Sequence, residues 1–238
     1  ANPVPAEEEI GLTFNRGITP VKVCDWIRIL NKPPPKLLNQ LQQIYGDSEN
    51  SEHKRRIYTN ALQVFGDTYG FDAEVIIARS PGRINVMGRH VDYLGGYANP
   101  MGTNLETIAL GQARSDRRVH LKNMNPKFKE KSFFIDAELP KEKIRDLDHW
   151  DKWTAERFRE KQNSGEELGW DEYVKGLLVY LQDAYRKQDG SFTKSLKGMN
   201  ILITSDLPIE RALSSSSALV TSVALVTIKL NDLKMPLT

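Results

Sequence analysis

The sequence predicts helices gathered before residue 70, β-strands gathered in the middle, and a strand–loop–helix unit near the end. Three observations carry this prediction. Apolar residues recur at helical spacing in three stretches ahead of Gly70. The runs 74–78, 107–113, 118–123 and 131–136 are short and rich in β-branched or aromatic residues, as strands are. Residues 200–205 form a further apolar run, which leads through Ser214-Ser215-Ser216-Ser217 into an apolar helix reaching about Leu230. At 238 residues the chain suits one large domain or two small ones and has ample length for a core.

In chain order, residues 1–20 are rich in proline and acid and are expected to wrap the surface or stay loose. Val23, Trp26, Ile27 and Leu30 mark a first helix, which Pro33-Pro34-Pro35 ends. Leu37, Leu38, Leu41, Ile44 and Tyr45 mark a second, stopped at Gly46. The polar stretch from Asp47 to Glu52 can cap a third, with Ile57, Leu62, Phe65 and Tyr69 as its apolar side and Gly70 as its C-cap. Pro81-Gly82 predicts a turn after the strand at 74–78. If residues 84–87 continue as a strand, Ile84 and Val86 share a face and belong to the core. The break at 114–118 predicts a hairpin between the strands at 107–113 and 118–123, and His120 reads as a sheet residue rather than a metal ligand. The charged stretch 141–167 reads as an exposed helical excursion anchored by Trp150 and Trp153. Tyr173, Leu177, Tyr180, Leu181 and Ala184 then recur at helical spacing, which is the pattern of an amphipathic helix with aromatic core residues.

Composition removes several function classes. A net charge of +2 gives no bulk-charge case for nucleic acid or an anionic membrane surface. One cysteine, Cys24, excludes an internal disulfide framework and fits a reducing compartment. No apolar run approaches the roughly 20 residues that span a bilayer, and the first residues lack the features of a signal peptide. A soluble cytoplasmic protein without nucleic-acid or membrane partners is the expectation.

Two stretches carry chemistry. Arg83, Arg89, His90 and Asp92 crowd into ten positions among turn-forming glycines, and Gly95-Gly96 closes the set. A guanidinium, an imidazole and a carboxylate held together can clamp a polyhydroxylated or anionic small molecule. A hairpin loop with solvated charges reads the same on spacing alone. The second stretch is the strand, small-residue loop and helix start around Ser214. It aims free backbone N–H groups and a helix dipole at an anion, and serine hydroxyls add donors or a magnesium ligand. A serine-rich N-cap without a ligand is equally compatible with it.

The segment 79–97 resembles the signature of the galactokinase branch of the GHMP small-molecule kinases, P-G-R-[VI]-N-[LIV]-[IM]-G-E-H-x-D-Y-x-x-G. Pro81, Gly82, Arg83, Asn85, Gly88, His90, Asp92, Tyr93 and Gly96 match it position by position. Arg89 stands where those enzymes carry a glutamate that contacts the sugar. Trp170, Tyr173, Val174, Lys175 and Gly176 resemble the family's W-x-x-Y-V-K-G piece. Pro208, Leu213, Ser214, Ser215 and Ser216 match its phosphate loop, P-x-G-x-G-L-S-S-S-A, but Glu210 and Ala212 replace the two glycines. Glycine there lets backbone approach phosphate, whereas glutamate adds bulk and negative charge.

The resemblance implies an α+β fold, the GHMP-kinase N-terminal domain (ribosomal protein S5 domain 2-like). Residues 1–46 would be a partly helical N-terminal extension and 47–238 that domain, truncated before the family's C-terminal domain. It implies a galactokinase-like sugar 1-kinase using ATP and Mg2+. Arg83 would stabilise the reacting hydroxyl, and Arg89, His90, Asp92 and Tyr93 would bind the sugar. Trp170 and Tyr173 would flank the adenine, and Leu213, Ser214, Ser215, Ser216 and Ser217 would hold the phosphates, with Ser216 on the metal. Arg89 is expected either to pair with an acid such as Asp92 or Glu106, or to face the sugar. The family's catalytic aspartate lies in a G-x-x-D-Q-type segment that has no counterpart here, so no catalytic base is assigned. The chain is expected to be the N-terminal part of a longer kinase, with the C-terminal half as its partner. The competing expectations are a catalytically weak or inactive sugar-binding regulator, and a kinase for a different sugar, such as an acidic one, or for another small alcohol.

Overall fold

The computed structural model describes residues 19–88, 95–208 and 213–234. Its centre is a six-stranded mixed sheet in the order β1-β2-β3-β6-β4-β5. The strands are β1 (Val21–Lys22), β2 (Glu74–Met87), β3 (Asn99–Ala113), β4 (Arg118–Asn123), β5 (Lys131–Phe134) and β6 (Met199–Ser205). The helices are α1 (Val23–Asn31), α2 (Pro35–Tyr45), α3 (Ser48–Tyr69), α4 (Ile135–Glu138), α5 (Leu147–Asn163), α6 (Asp171–Ala184) and α7 (Ser215–Leu230).

Strand alternation builds three layers, because successive side chains point to opposite faces. Val75, Ile108, Leu110 and Leu202 face one side, where Tyr58, Leu62 and Phe65 of α3 cover them, joined by Val23 and Leu30 of α1 and by Leu41 and Tyr45 of α2. The helices before Asp47 therefore share a core with the sheet. Ile76, Ala78, Ala109, Val119, Leu121, Ile201 and Ile203 face the other side, against Val174, Leu178 and Leu181 of α6 and Val223, Val226 and Leu230 of α7. Burying one such aliphatic side chain contributes about 1.5–3 kcal/mol, so this double-faced packing holds the sheet rigid beneath its loops.

The predicted helix ends hold. Asp47 caps α3 by accepting from the Asn50 N–H at 2.7 Å, and Gly46 and Gly70 close α2 and α3 at positive φ.

Five expectations are corrected. The first is the hairpin at 114–118. β6 inserts between β3 and β4, antiparallel to one and parallel to the other. Two strand spacings are about 10 Å, which a short link can straddle as readily as it can turn a hairpin. Gly198 sits in the crook of that link: its C=O accepts from the Arg114 N–H at 2.8 Å, and its N–H donates to the Asp116 C=O at 2.6 Å.

The second is the turn at Pro81-Gly82, which is instead a bulge inside β2. The register jumps there from Pro81 opposite Glu106 to Arg83 opposite Gly102. Pro81 is tolerated because β1 pairs with β2 only at Glu74 and Val75, leaving the rest of that edge without a ladder among the described residues.

The third is the burial of Ile84 and Val86, which are 38% and 59% exposed. β3 pairs with β6 only from Thr107 onward, so the far half of the β2–β3 hairpin projects beyond the helical layers. The fourth is the aromatic side of α6. Tyr173 and Tyr180 are exposed, and the buried stripe is Val174, Leu178 and Leu181. The fifth is the last part of the predicted strand at 131–136, which is helical and forms the start of α4.

No helix among the described residues is long and apolar enough to cross a membrane.

Candidate functional site

The signature strand and the serine turn meet directly. Past the bulge, the Arg83 N–H donates to the Leu213 C=O at 3.0 Å. Gly82 makes the approach possible: a Cβ there would lie 2.3 Å from Leu207 Cδ2, 2.8 Å from Thr103 Oγ1 and 3.1 Å from the Leu213 oxygen. The Arg83 side chain is exposed at this junction. Gly88 is the last described residue of the signature before residues 89–94. It has φ of +75°, and a Cβ would stand 2.1 Å from the Tyr97 oxygen, so the hairpin closes there only on glycine. Arg89, His90, Asp92 and Tyr93 lie outside the described residues, as do Glu210 and Ala212.

Ser214 turns the chain into α7 with φ 58° and ψ 40°, a left-handed conformation uncommon outside glycine, and no side-chain hydrogen bond caps the helix among the described residues. The first intrahelical bond runs from the Ala218 N–H to the Ser214 C=O. The N–H groups of Ser215, Ser216 and Ser217 precede it and therefore have no intrahelical acceptor. Ser216 and Ser217 are exposed; Ser214 and Ser215 are half-buried.

Trp170 and Tyr173 stand elsewhere. They line a cleft of about 760 Å³ whose other walls include Trp153 and Phe158 of α5 and Phe128 of the β4–β5 link. No residue of the Arg83–Leu213 junction lines it. The Trp170 indole donates to the Lys129 C=O at 3.0 Å and lies 6.1 Å from the Phe128 ring, which fixes its plane. Tyr173 is 54% exposed, so its ring is free to meet a planar ligand.

Ion pairs within the lining of the cleft itself join α5 to α6. The Lys161 ammonium, buried, donates to Glu172 at 2.7 Å, and Lys175 donates to Glu172 and lies 2.9 Å from Asp171. Burial pushes the Glu172 carboxyl up, but the hydrogen bonds from Lys161 and Lys175 outweigh it and hold the group below its ordinary range. Burial likewise lowers Lys175, and its hydrogen bonds to Glu172 and Asp171 reverse that and raise it.

Sequence reasoning did not find a buried polar hub under the junction. Glu106 on β3, fully buried, accepts from Tyr45 at 2.6 Å, from Tyr58 at 3.3 Å and from the Arg79 guanidinium. Arg89 lies outside the described residues, so its expected pairing with Glu106 is not described; among the described residues the partners of Glu106 are Tyr45, Tyr58, Arg79 and Lys54. Burial first, and then the bond to Glu106, push the Tyr45 phenol up. His120 lies on β4, as expected, and bonds Tyr69 through Nδ1 at 2.7 Å.

Comparison with known proteins bears on this arrangement. The galactokinase galactose-binding signature matches residues 63–113, and the GHMP kinases N-terminal domain matches residues 172–238. A galactokinase of Lactococcus lactis subsp. lactis (strain IL1403) is 33% identical over 189 residues, 79% of this chain and 39% of that protein. A galactokinase of Streptococcus thermophilus (strain ATCC BAA-491 / LMD-9) is 32% identical over 171 residues, 72% of this chain and 36% of that protein. The solved Lactococcus lactis galactokinase complexed with galactose superposes at a TM-score of 0.57 and 29% identity, over 76% of this chain and 39% of that one. The chain belongs to the galactokinase branch of the GHMP kinases.

This chain spans about two fifths of the length of the curated galactokinases it matches first. The galactose-binding match takes in the end of α3, the whole of β2 and β3, and the junction residue Arg83. The GHMP match begins at Glu172 beside the cleft and contains Leu213 and the serines. The hydrogen bond between Arg83 and Leu213 therefore joins the two family segments.

Proposed function

We propose that this chain is the sugar- and nucleotide-binding part of an ATP-dependent sugar 1-kinase, acting on the anomeric hydroxyl of a monosaccharide. The observation that supports it most is the Arg83–Leu213 hydrogen bond, which puts the galactose-binding signature beside a serine-rich helix start. In-line transfer needs the acceptor hydroxyl and the donor phosphate at one place, and orientation of this kind supplies much of the catalysis in phosphoryl transfer.

In the reaction the anomeric oxygen bonds to the γ-phosphorus while the bond from that phosphorus to the bridging oxygen of ADP breaks. The hydroxyl proton leaves to a base that is not assigned in this chain. Arg83 offsets charge developing on the attacking oxygen. Arg89, His90, Asp92 and Tyr93 hold sugar hydroxyls, each charged hydrogen bond contributing about 1.5–3 kcal/mol. Leu213, Ser214, Ser215, Ser216 and Ser217 form the phosphate cradle, where free N–H groups favour an anion. Trp170 and Tyr173 hold the base by flat contact.

Magnesium supplies charge neutralisation between the phosphates when bound, with Ser216 as its protein ligand. A single hydroxyl fits this ion only when phosphate oxygens complete the shell, as is usual for magnesium. Among the described residues no group of three His, Cys, Asp or Glu side chains gathers to hold a metal.

The protein acts in the cytoplasm, and its partner is the remaining C-terminal half of the kinase. Residues 47–238 form the GHMP domain and 1–46 its extension. A second reading, a sugar-binding regulator, is favoured by Glu210 and Ala212 in place of the loop glycines. Titration of the intact protein with ATP and with a sugar panel separates the two: sugar binding without ATP binding supports the regulator, and binding of both supports the kinase.

A further inference from the structure

Beneath the junction four charged side chains meet, two cations and two anions. Lys54 of α3 is 4% exposed, and its Nζ lies 2.5 Å from Asp206 Oδ2 and 3.6 Å from Glu106 Oε1. The Arg79 guanidinium binds the second oxygen of Glu106. Asp206 also grips the backbone of β3 in both directions. Its Oδ1 accepts from the Glu106 N–H at 2.7 Å, and its own N–H donates to the Glu106 C=O at 3.2 Å.

The location gives this cluster its meaning. Thr107 opposite Ser205 is the last rung between β3 and β6, so Asp206 is the residue at which the chain leaves the sheet. The next residue, Leu207, is buried against Gly82. The chain then returns at Leu213 to the N–H of Arg83. The direction in which the loop departs is thus set by Asp206, and Asp206 is set by a lysine from the opposite helical layer. Tyr45 of α2 ties in the N-terminal helices: its hydroxyl binds Glu106, and the Lys54 ammonium and the Arg79 guanidinium each lie 5.3 Å from its ring centroid.

We propose that Lys54 and Asp206 are positioning residues for the phosphate-holding loop: the pair of buried Lys54 and half-buried Asp206 fixes the exit from β6, and through Leu207 and Leu213 it fixes the serine turn against Arg83. A buried ion pair is weak evidence of stabilisation for its own sake, since well-packed apolar residues often do as well. What an apolar residue at 206 would not supply is the side-chain acceptor for the Glu106 N–H, which the Lys54 ion pair holds in place. The proposal rests on the reading of the serine turn as the nucleotide site.

The test is titration of the intact protein with magnesium–ATP and, separately, with galactose, alongside melting curves. Asp206→Glu keeps the charge and the partner but moves the carboxylate one methylene further from the backbone. Loosening a charged hydrogen bond of this kind should lower ATP affinity about tenfold, with galactose affinity within about twofold and native melting retained. Asp206→Asn keeps an acceptor for the Glu106 N–H but turns an amide donor towards the Lys54 ammonium in place of the ion pair, so it should lose ATP affinity as well. If Asp206→Glu does not fold, Lys54→Gln carries the same test, because it leaves Asp206 in place but loosens it. ATP affinity within twofold of the native protein, or parallel loss of ATP and galactose affinity, overturns the positioning role alone. Failure of the native protein to bind ATP overturns the nucleotide reading and this proposal with it.

Discussion

Gly82 and Leu207 are packed so closely that a single methyl group does not fit between them, an added Cβ coming within 2.3 Å of Leu207 Cδ2. Leu207 can give way, but the Leu213 carbonyl at 3.1 Å is backbone and cannot move without shifting the serine turn. Gly82→Ala should therefore destabilise by about 1–3 kcal/mol, the usual cost of overpacking, and should also weaken ATP binding. Denaturant unfolding and ATP titration of the same variant check both. Loss of stability with native ATP affinity would separate the bulge from the site.

Tyr173 offers the opposite case, a residue whose loss should be felt by ligand and not by fold. It is exposed on α6 at the mouth of the cleft, and exposed substitutions usually stay within about 0.5 kcal/mol. Stacking of a base on an aromatic ring is worth about 1–3 kcal/mol, so Tyr173→Ala should weaken ATP roughly 5- to 150-fold. The melting temperature should stay near native. Competition by free adenosine gives a direct check, since it reports the base pocket without the phosphates.

Helix content, helix ends and the three family segments were legible in the sequence because each is written locally. Asp47 and Gly70 announce the ends of α3, and Pro81-Gly82-Arg83 and the serine run mark the family segments. What was not legible is long-range. Nothing near residue 114 says that β6 will enter between β3 and β4, and a turn that straddles a strand has the composition of one that closes a hairpin. Ile84 and Val86 alternate as core residues do, but the covering layers end before them. The Glu106 hub was missed for the same reason. Its partners come from α2, α3, β2 and the end of β6, and its only local mark is a carboxylate beside the apolar run at 107–110.

Acid stability has a local handle at the β3–β4 link. The Arg114 guanidinium donates twice to Asp116, at 2.8 Å each, and holds that carboxyl down at about 2, below its ordinary 3.8. A lowered carboxyl contributes stability that is present above the ordinary value and is lost as pH falls towards the folded one. Asp116→Asn should remove that contribution, leaving a shallower loss of stability between about pH 4 and pH 2 and little change in slope above it. Melting temperatures across that window measure it.

Under the proposed function, Arg89 is the departure from the family pattern that should bear on substrate choice. A carboxylate accepts a hydrogen bond from a sugar hydroxyl, whereas a guanidinium only donates. A site built to pair a hydroxyl can discriminate by as much as roughly 10⁴-fold, so the native protein should select galactose only weakly. Arg89→Glu should shift preference towards galactose. Competition among galactose, arabinose, glucose and a uronic acid is the measurement. Strong native preference for galactose that the substitution reduces would show that Arg89 plays another part.

Phosphoryl transfer itself tests the central proposal most directly. The intact protein, supplied with ATP, magnesium and the sugar panel, can be followed by phosphorus NMR. A sugar 1-kinase gives a new phosphate-ester resonance coupled to an anomeric proton, rising as ADP appears, and Arg83→Ala should suppress it. Sugar binding that persists with no such resonance under any of these acceptors would contradict the kinase reading.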